Sequence, residues 1–341
     1  MHFVLLHTEF SMNGAAVLLF RWARHLASLG LRVTGVHNAD AAGPLRDQYV
    51  AAGIALTPHF RVQPDMVAIC NTVVTAPYVI QVAAHVPTIW WLHEAETGLG
   101  RLIEHPEDIP AFTKASAIVI PSAIVRDTVY RPFLMEVPPA RVHIVPPGFD
   151  HPDPSEIAAA ARDKNGRLEV VCVGAIEARK RQSDLIRAVA RLPDLPIDCV
   201  FAGKKNELEP DAASLAEAMP ERFRFLGELP HPETMRLLAG ADIFCHPSAS
   251  ECLPLAPLEA GLRAKPLILS DIIAHDGIWR HGVNCLMHPR ADADLLAHMV
   301  RILATDPPLR ARLGQAARET ASAFRHDVFV TRLGMVLASL A

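Results

Sequence analysis

Two carboxylates stand eight positions apart in an otherwise apolar stretch, SASECLPLAPLEAGLRAKPLILS at 248–270: Glu251 and Glu259, with Pro254 between them. The preceding run ADIFCHPS (241–248) reads as a strand ending at Pro247–Ser248. Proline is favoured at a first helical position, so a helix is expected from about Pro254. Glu251 then lies in the loop before the helix, and Glu259 one turn inside it, on the face of Leu255 by i,i+4 spacing. Free N–H groups and the macrodipole attract anions to such a helix end. A diphosphate there, with the two carboxylates accepting from sugar hydroxyls on either side, would suit a nucleotide diphosphate sugar. The same spacing also fits a charge that stabilises a helix start and a partly buried ion pair, and spacing alone favours that plainer reading.

The elements that must hold these groups recur along the chain. HFVLL (2–6) reads as a buried strand, AAVLLFRWARHLASLG (15–30) as a helix ending at Gly30, and RVTGVH (32–37) as a strand. MVAIC (66–70), TIWWLH (88–93), ASAIVIPS (115–122) and RVHIVPPG (141–148) continue the strands, with PLRDQYVAAG and TAPYVIQVAAH as helices between them. The pattern pauses at the proline-rich PPGFDHPDPSE (146–156) and restarts with LEVVCVG, IDCVFAG, RFRFLG, ADIFCHPS and PLILS as strands. Short strands alternating with helices indicate parallel sheets covered on both faces. The expected fold class is therefore α/β, two doubly wound Rossmann-like domains facing across a cleft. The expected boundaries are 1–155 and 165–325, with a hinge near 150–165 and a last helix, 326–341, that could pack back on the first domain.

At 341 residues and half hydrophobic, the chain can fill two cores. Its net charge of −4 divides evenly about residue 155, ten basic against thirteen acidic residues and then 23 against 24. Neither part has the basic excess of a nucleic-acid binder. Six scattered cysteines form no CxxC pair, as in a reducing cytoplasmic protein. The apolar start, 3–6, is too short for a signal peptide or a membrane span, although peripheral contact with the inner face of a membrane stays open. Asp292-Ala-Asp294 resembles a metal-binding Asp-x-Asp, but it opens the helix DLLAHMVRIL, where aspartates serve as caps. No GxGxxG follows the first strand, which argues against a dinucleotide oxidoreductase.

The stretch from Ser248 to Ser270, a serine after a strand, Glu-x7-Glu, a helix and a closing apolar strand, resembles the signature of the retaining GT-B glycosyltransferases of family 4. VGAIEARKRQSDLIRAVARL (173–192), VFAGKKNE (200–207), FLGELPHPETMRLLAGADIFCHPS (225–248) and DGIWRHGVNCLMHP (276–289) resemble the family in order. NGAA (13–16), WLHE (91–94) and VHIVPPGFD match more loosely in the first domain.

The resemblance implies roles for matching residues. Lys180, with Arg179 beside it, would neutralise a donor diphosphate. Glu251 would accept from the donor sugar's hydroxyls and Glu259 from the nucleotide ribose, while Leu255 and Ala256 would offer backbone N–H groups to the phosphates. Gly14 would let backbone approach the diphosphate, and His93 would lie near the reacting carbon. Glu94 is a weaker candidate for the acceptor site. Gly174-Ala175 stands where many relatives have Gly-Arg, and Cys252 and Pro254 replace frequent glycines, but no charged group of the pattern is missing.

The implied reaction moves a sugar from a nucleotide diphosphate donor to an acceptor hydroxyl with retention, without a metal or other cofactor. The acceptor could be a saccharide, a lipid-linked saccharide or a small molecule. A nucleotide-sugar epimerase of the same fold, or a non-catalytic nucleotide-sugar-binding protein, would carry a similar pattern.

Overall fold

The computed structural model describes residues 1–153, 155, 157, 166–204 and 206–340. They form two compact units, one of Met1–Gly148 with His326–Ala341, the other of Phe149–Arg325.

The first unit is built on a seven-stranded parallel sheet of β1 (His2–Leu6), β2 (Arg32–Val36), β3 (Ala55–Thr57), β4 (Met66–Asn71), β5 (Thr88–Trp91), β6 (Ala117–Ile120) and β7 (Val142–Ile144). Their spatial order is β3-β2-β1-β4-β5-β6-β7. Every residue of β1, β4, β5 and β6 is buried, because helices cover both faces and water reaches neither. The short edge strands β3 and β7 are only partly covered, which is why their sequences carry a weaker apolar signal. The helix Gly14–Ser28 opens on Asn13, whose Oδ1 accepts from the Ala16 N–H at 2.8 Å. The helix His326–Ala338 packs in this unit: Phe329 lies 6.2 Å from Trp91, and Arg332 donates to the Ile144 carbonyl.

The second unit repeats the plan with β8 (Leu168–Val173), β9 (Ile197–Ala202), β10 (Phe223–Phe225), β11 (Ile243–His246), β12 (Leu267–Ser270) and β13 (Leu286–His288), ordered β10-β9-β8-β11-β12-β13. Two buried clusters form its core. Ile186, Val189, Phe201 and Leu296 belong to one, and Phe244, Leu258, Leu269 and Trp279 to the other.

The boundary falls at 148/149 rather than at 155, because Phe149 bridges to Arg325 and its N–H donates to the Phe324 carbonyl. Most of the expected hinge, 158–165, lies outside the described residues. In both units the order reverses beside the first strand, between β1 and β4 and between β8 and β11. Such switch points leave a crevice at the carboxyl ends of the strands, where open α/β sheets bind ligands.

Candidate functional site

The second unit's switch point gathers three of the sequence-predicted residues. Beyond β8 the chain passes Gly174 and turns through a short 3₁₀ segment, Ala178–Lys180, before the helix Gln182–Ala190. Arg181, the residue between them, adopts a left-handed φ of 52°. Beyond β11 the loop 247–254 comes back over this turn: the Ala249 N–H donates to the Arg179 carbonyl at 2.8 Å. The two loops thereby bring Lys180 Nζ to 2.5 Å from Glu251 Oε1, and Arg179 Nη1 to 3.1 Å from Glu251 Oε2. Arg179 also binds Glu177 at 2.7 Å and the Ser250 carbonyl at 2.8 Å.

Two glycines set the floor of this arrangement. Gly203, after β9, has a φ of +151°, and a Cβ there would lie 2.1 Å from the Gly174 carbonyl oxygen. No side chain fits between the two strand ends, so only glycine allows them to approach so closely. The Lys180 stem runs alongside Gly174, with Cε 3.7 Å from where a Cβ would be.

Glu251 has further partners that the sequence reading missed. Ser248 Oγ donates to Oε1 at 2.8 Å, and His246 Nε2 lies 3.2 Å from the same oxygen. Burial alone would push the Glu251 carboxyl up, but Lys180, the His246 hydrogen bond and Arg179 together hold it well below the usual carboxylate range. His246 and His275 are both pushed down by burial, His275 to about 3, so both rings are neutral at pH 7. His275 Nδ1 bonds the Ser270 carbonyl at 2.8 Å. His246 and Ser248 fall in ADIFCHPS, where the apolar run hides polar side chains at the strand's end.

The helix Leu255–Leu262 begins beside Glu251, with Leu255 and Ala256 as its first residues. Pro254 is its N-cap, with extended ψ, rather than its first helical residue as expected; the missing proline N–H leaves no helical bond unmade at either position. No side-chain hydrogen bond caps this end. Glu259 is buried farther along, and His231 Nε2 lies 3.1 Å from its Oε1.

Gly14 and His93 lie in the first unit. Gly14 is the exposed first residue of its helix and is not among the positive-φ glycines. His93 follows β5, and its Nε2 lies 2.8 Å from Asn71 Oδ1 at the end of β4, the switch-point strand. Burial pushes His93 down to about 3. It is therefore a neutral imidazole that donates through Nε2 to Asn71. Glu94 accepts from the backbone N–H groups of Val73 and His93 at 3.1 and 3.0 Å, while burial pushes its carboxyl up. That engagement ties the Glu94 carboxylate to the turn after β4.

Asp292 Oδ1 caps the helix Ala293–Thr305 through the Leu295 N–H at 2.8 Å, and Asp294 pairs with Arg191 at 2.9 Å. No helix among the described residues is long and apolar enough to cross a membrane.

Residues 155–320 match the family described as "Glycosyl transferases group 1". The chain is 32% identical over 203 residues to a D-inositol 3-phosphate glycosyltransferase of Kribbella flavida, covering 54% of this chain and 48% of that relative. It is 28% identical over 315 residues to an alpha-maltose-1-phosphate synthase of Mycolicibacterium smegmatis, covering 86% and 78%. Several of the curated relatives, including the first, are matched over only about half their length or less. Among solved structures, Anabaena HepE with UDP and glucose superposes with a TM-score of 0.80 at 19% identity, over 100% of this chain and 99% of that one. Sucrose-phosphate synthase of Thermosynechococcus elongatus gives 0.76 at 16%, over 100% and 99%. At such identities the likeness establishes the fold. Residues 155–320 thus resemble the glycosyl transferases group 1 family, in a chain that has the two-domain GT-B fold.

Proposed function

We propose that the chain moves a sugar from a nucleotide diphosphate sugar to an acceptor hydroxyl, with the anomeric configuration retained. The observation that carries this reading is the convergence of Lys180 and Arg179 on Glu251, beside a helix start with no side-chain cap. The leaving group is a diphosphate, and breaking its bond to the sugar develops an oxocarbenium-like carbon and a second negative charge on phosphate. Two fixed cations and the Leu255 and Ala256 amides would stabilise that charge without reorganising. Glu251 would accept from the sugar's hydroxyls and Glu259 from the ribose. In the first unit, Gly14 would leave room for diphosphate, and the neutral His93 would bond the sugar near its reacting carbon.

Retention by the double-displacement route needs a carboxylate nucleophile close to the anomeric carbon. None is assigned here, and the proposal is attack from the leaving-group side, with the donor phosphate taking the acceptor's proton. Lys180 and Arg179 supply the countercharge in this reading, so no metal is required. The donor of first choice is UDP-glucose, because HepE was solved with it. The acceptor proposed is a saccharide, free or lipid-linked, or a small polyol.

The test is a thermal-shift screen of nucleotide sugars, followed by mass spectrometry and NMR of the products. A glycoside with the donor's anomeric configuration is the expected product. An isomerised nucleotide sugar formed without acceptor, or binding with no turnover for any acceptor class, would overturn the reading.

A further inference from the structure

Glu251 Oε1 has three neighbouring donors: Lys180 Nζ at 2.5 Å, Ser248 Oγ at 2.8 Å and His246 Nε2 at 3.2 Å. They differ in how firmly they are held. Lys180 sits on a flexible stem and, under the proposed function on which this inference rests, turns to the donor's phosphate. Ser248 and His246 cannot follow it. His246 is the last residue of β11, paired with Leu269 of β12, and is only 2% exposed. Its ring is stacked against Phe244 at 6.3 Å and meets the edge of His275 at 6.1 Å. The backbone at Ser248 is fixed in turn, because the buried Ser270 hydroxyl donates to the Ser248 carbonyl.

We propose that His246 is a positioning residue, which keeps the Glu251 carboxylate aimed at the donor sugar after the cations have turned to the diphosphate. Its neutral ring donates from Nε2 to Oε1, so it contributes direction without adding a third positive charge beside the leaving group. A hydrophobic side chain at this strand end would fill the same space and leave Oε1 held by Ser248 alone once Lys180 turns away. The consequence is a division of labour: Lys180 and Arg179 govern affinity for the diphosphate, and His246 governs the rate with the sugar attached.

The test compares His246→Leu with His246→Gln, whose amide N–H can reach the position of the ring's Nε2–H. The probes are UDP, for binding by calorimetry, and UDP-glucose, for turnover by UDP release. His246→Leu is expected to bind UDP as the unmodified chain does and to lose about ten- to a hundredfold in kcat, the effect of one hydrogen bond to a charged group. His246→Gln should recover to within about threefold. Crystal structures of the variants should show Glu251 still on Ser248 Oγ in His246→Gln and displaced or split in His246→Leu. Should His246→Leu not fold, His246→Met against His246→Gln makes the same comparison. Unchanged turnover in the apolar variant, equal loss in both variants, or an unmoved Glu251 would each overturn the proposal. If the unmodified chain shows no turnover of UDP-glucose, that result counts against the donor reading, and the position of Glu251 in the variants still decides this inference.

Discussion

Lys180 and Glu251, 71 residues apart in sequence, meet at 2.5 Å with side chains only 16% and 10% exposed. The contact joins the loop after β8 to the loop after β11, across the second unit's switch point. An ion pair this sheltered from water costs several kcal/mol in desolvation, which its own attraction offsets only in part. In the proposed reaction the pair is held ready for exchange: a diphosphate would take the lysine, and sugar hydroxyls would take the carboxylate.

Replacing Lys180 by alanine should therefore damage function more than stability. Glu251 keeps Arg179, Ser248 and His246, so the loss in unfolding free energy should stay at about 1–3 kcal/mol, below the roughly 3–5 kcal/mol expected when a buried partner is left with none. Transfer should fall at least a hundredfold, because a countercharge at the leaving phosphate is gone. Urea denaturation and initial rates measure the two; a variant with near-normal rates would remove Lys180 from the reaction.

Glu251→Gln separates two roles of the carboxylate. In the free chain the carboxylate competes with phosphate for Lys180 and Arg179, so its neutral counterpart should bind UDP as tightly as the unmodified chain or several-fold more tightly. Turnover of the sugar-bearing donor should nevertheless fall by about a hundredfold or more. Calorimetry with UDP beside rate measurements checks this, and a large loss of UDP affinity would contradict it.

The buried histidines predict an early acid weakness in the second unit. His275 has a folded value near 3, against about 6.5 when unfolded, so below pH 6.5 the unfolded chain takes up a proton that the folded unit refuses. Its contribution is fully present above pH 6.5 and is lost as pH falls, by about 1.4 kcal/mol per pH unit, or about 2 kcal/mol by pH 5. His246, shifted the same way, adds to it. Glu251 contributes with the same sign but lower, its stabilisation being lost only below the unfolded carboxylate value near 4.3. Urea titrations at pH 7 and pH 5 should show the drop, and His275→Gln should reduce it.

Asp292 and Asp294 are predicted to be irrelevant to catalysis. Asp292→Ala should cost about 1 kcal/mol through loss of the helix cap and leave kcat unchanged. Transfer should likewise proceed undiminished in EDTA. Loss of activity in either experiment would assign the metal role that the proposed mechanism omits.

The parts of this molecule legible in its sequence are those with a local signature. The central strands announce themselves because burial on both faces demands unbroken apolar runs. The edge strands β3 and β13, three residues each, escape the same logic, since runs this short show no periodicity and each ends on a polar residue, Thr57 and His288. At the site, Lys180 and Glu251 were readable because their motifs fix each residue's place on a loop beside a helix. The bonds from His246 to Glu251 and from His93 to Asn71 were not, because no periodicity records which strand end comes to lie beside which. Polar residues closing an apolar run, as in IFCH, MVAICN and TIWWLH, were the available signal.

Gly203 puts its backbone against the Gly174 carbonyl with no space for a methyl group, and thereby sets the height of the turn that presents Arg179 and Lys180. An alanine scan would score Gly203 among the most sensitive positions, although it offers a ligand no side chain at all. Variants selected for a new donor should accordingly retain glycine there while the neighbouring side chains vary, since every choice of sugar would inherit the same bent scaffold.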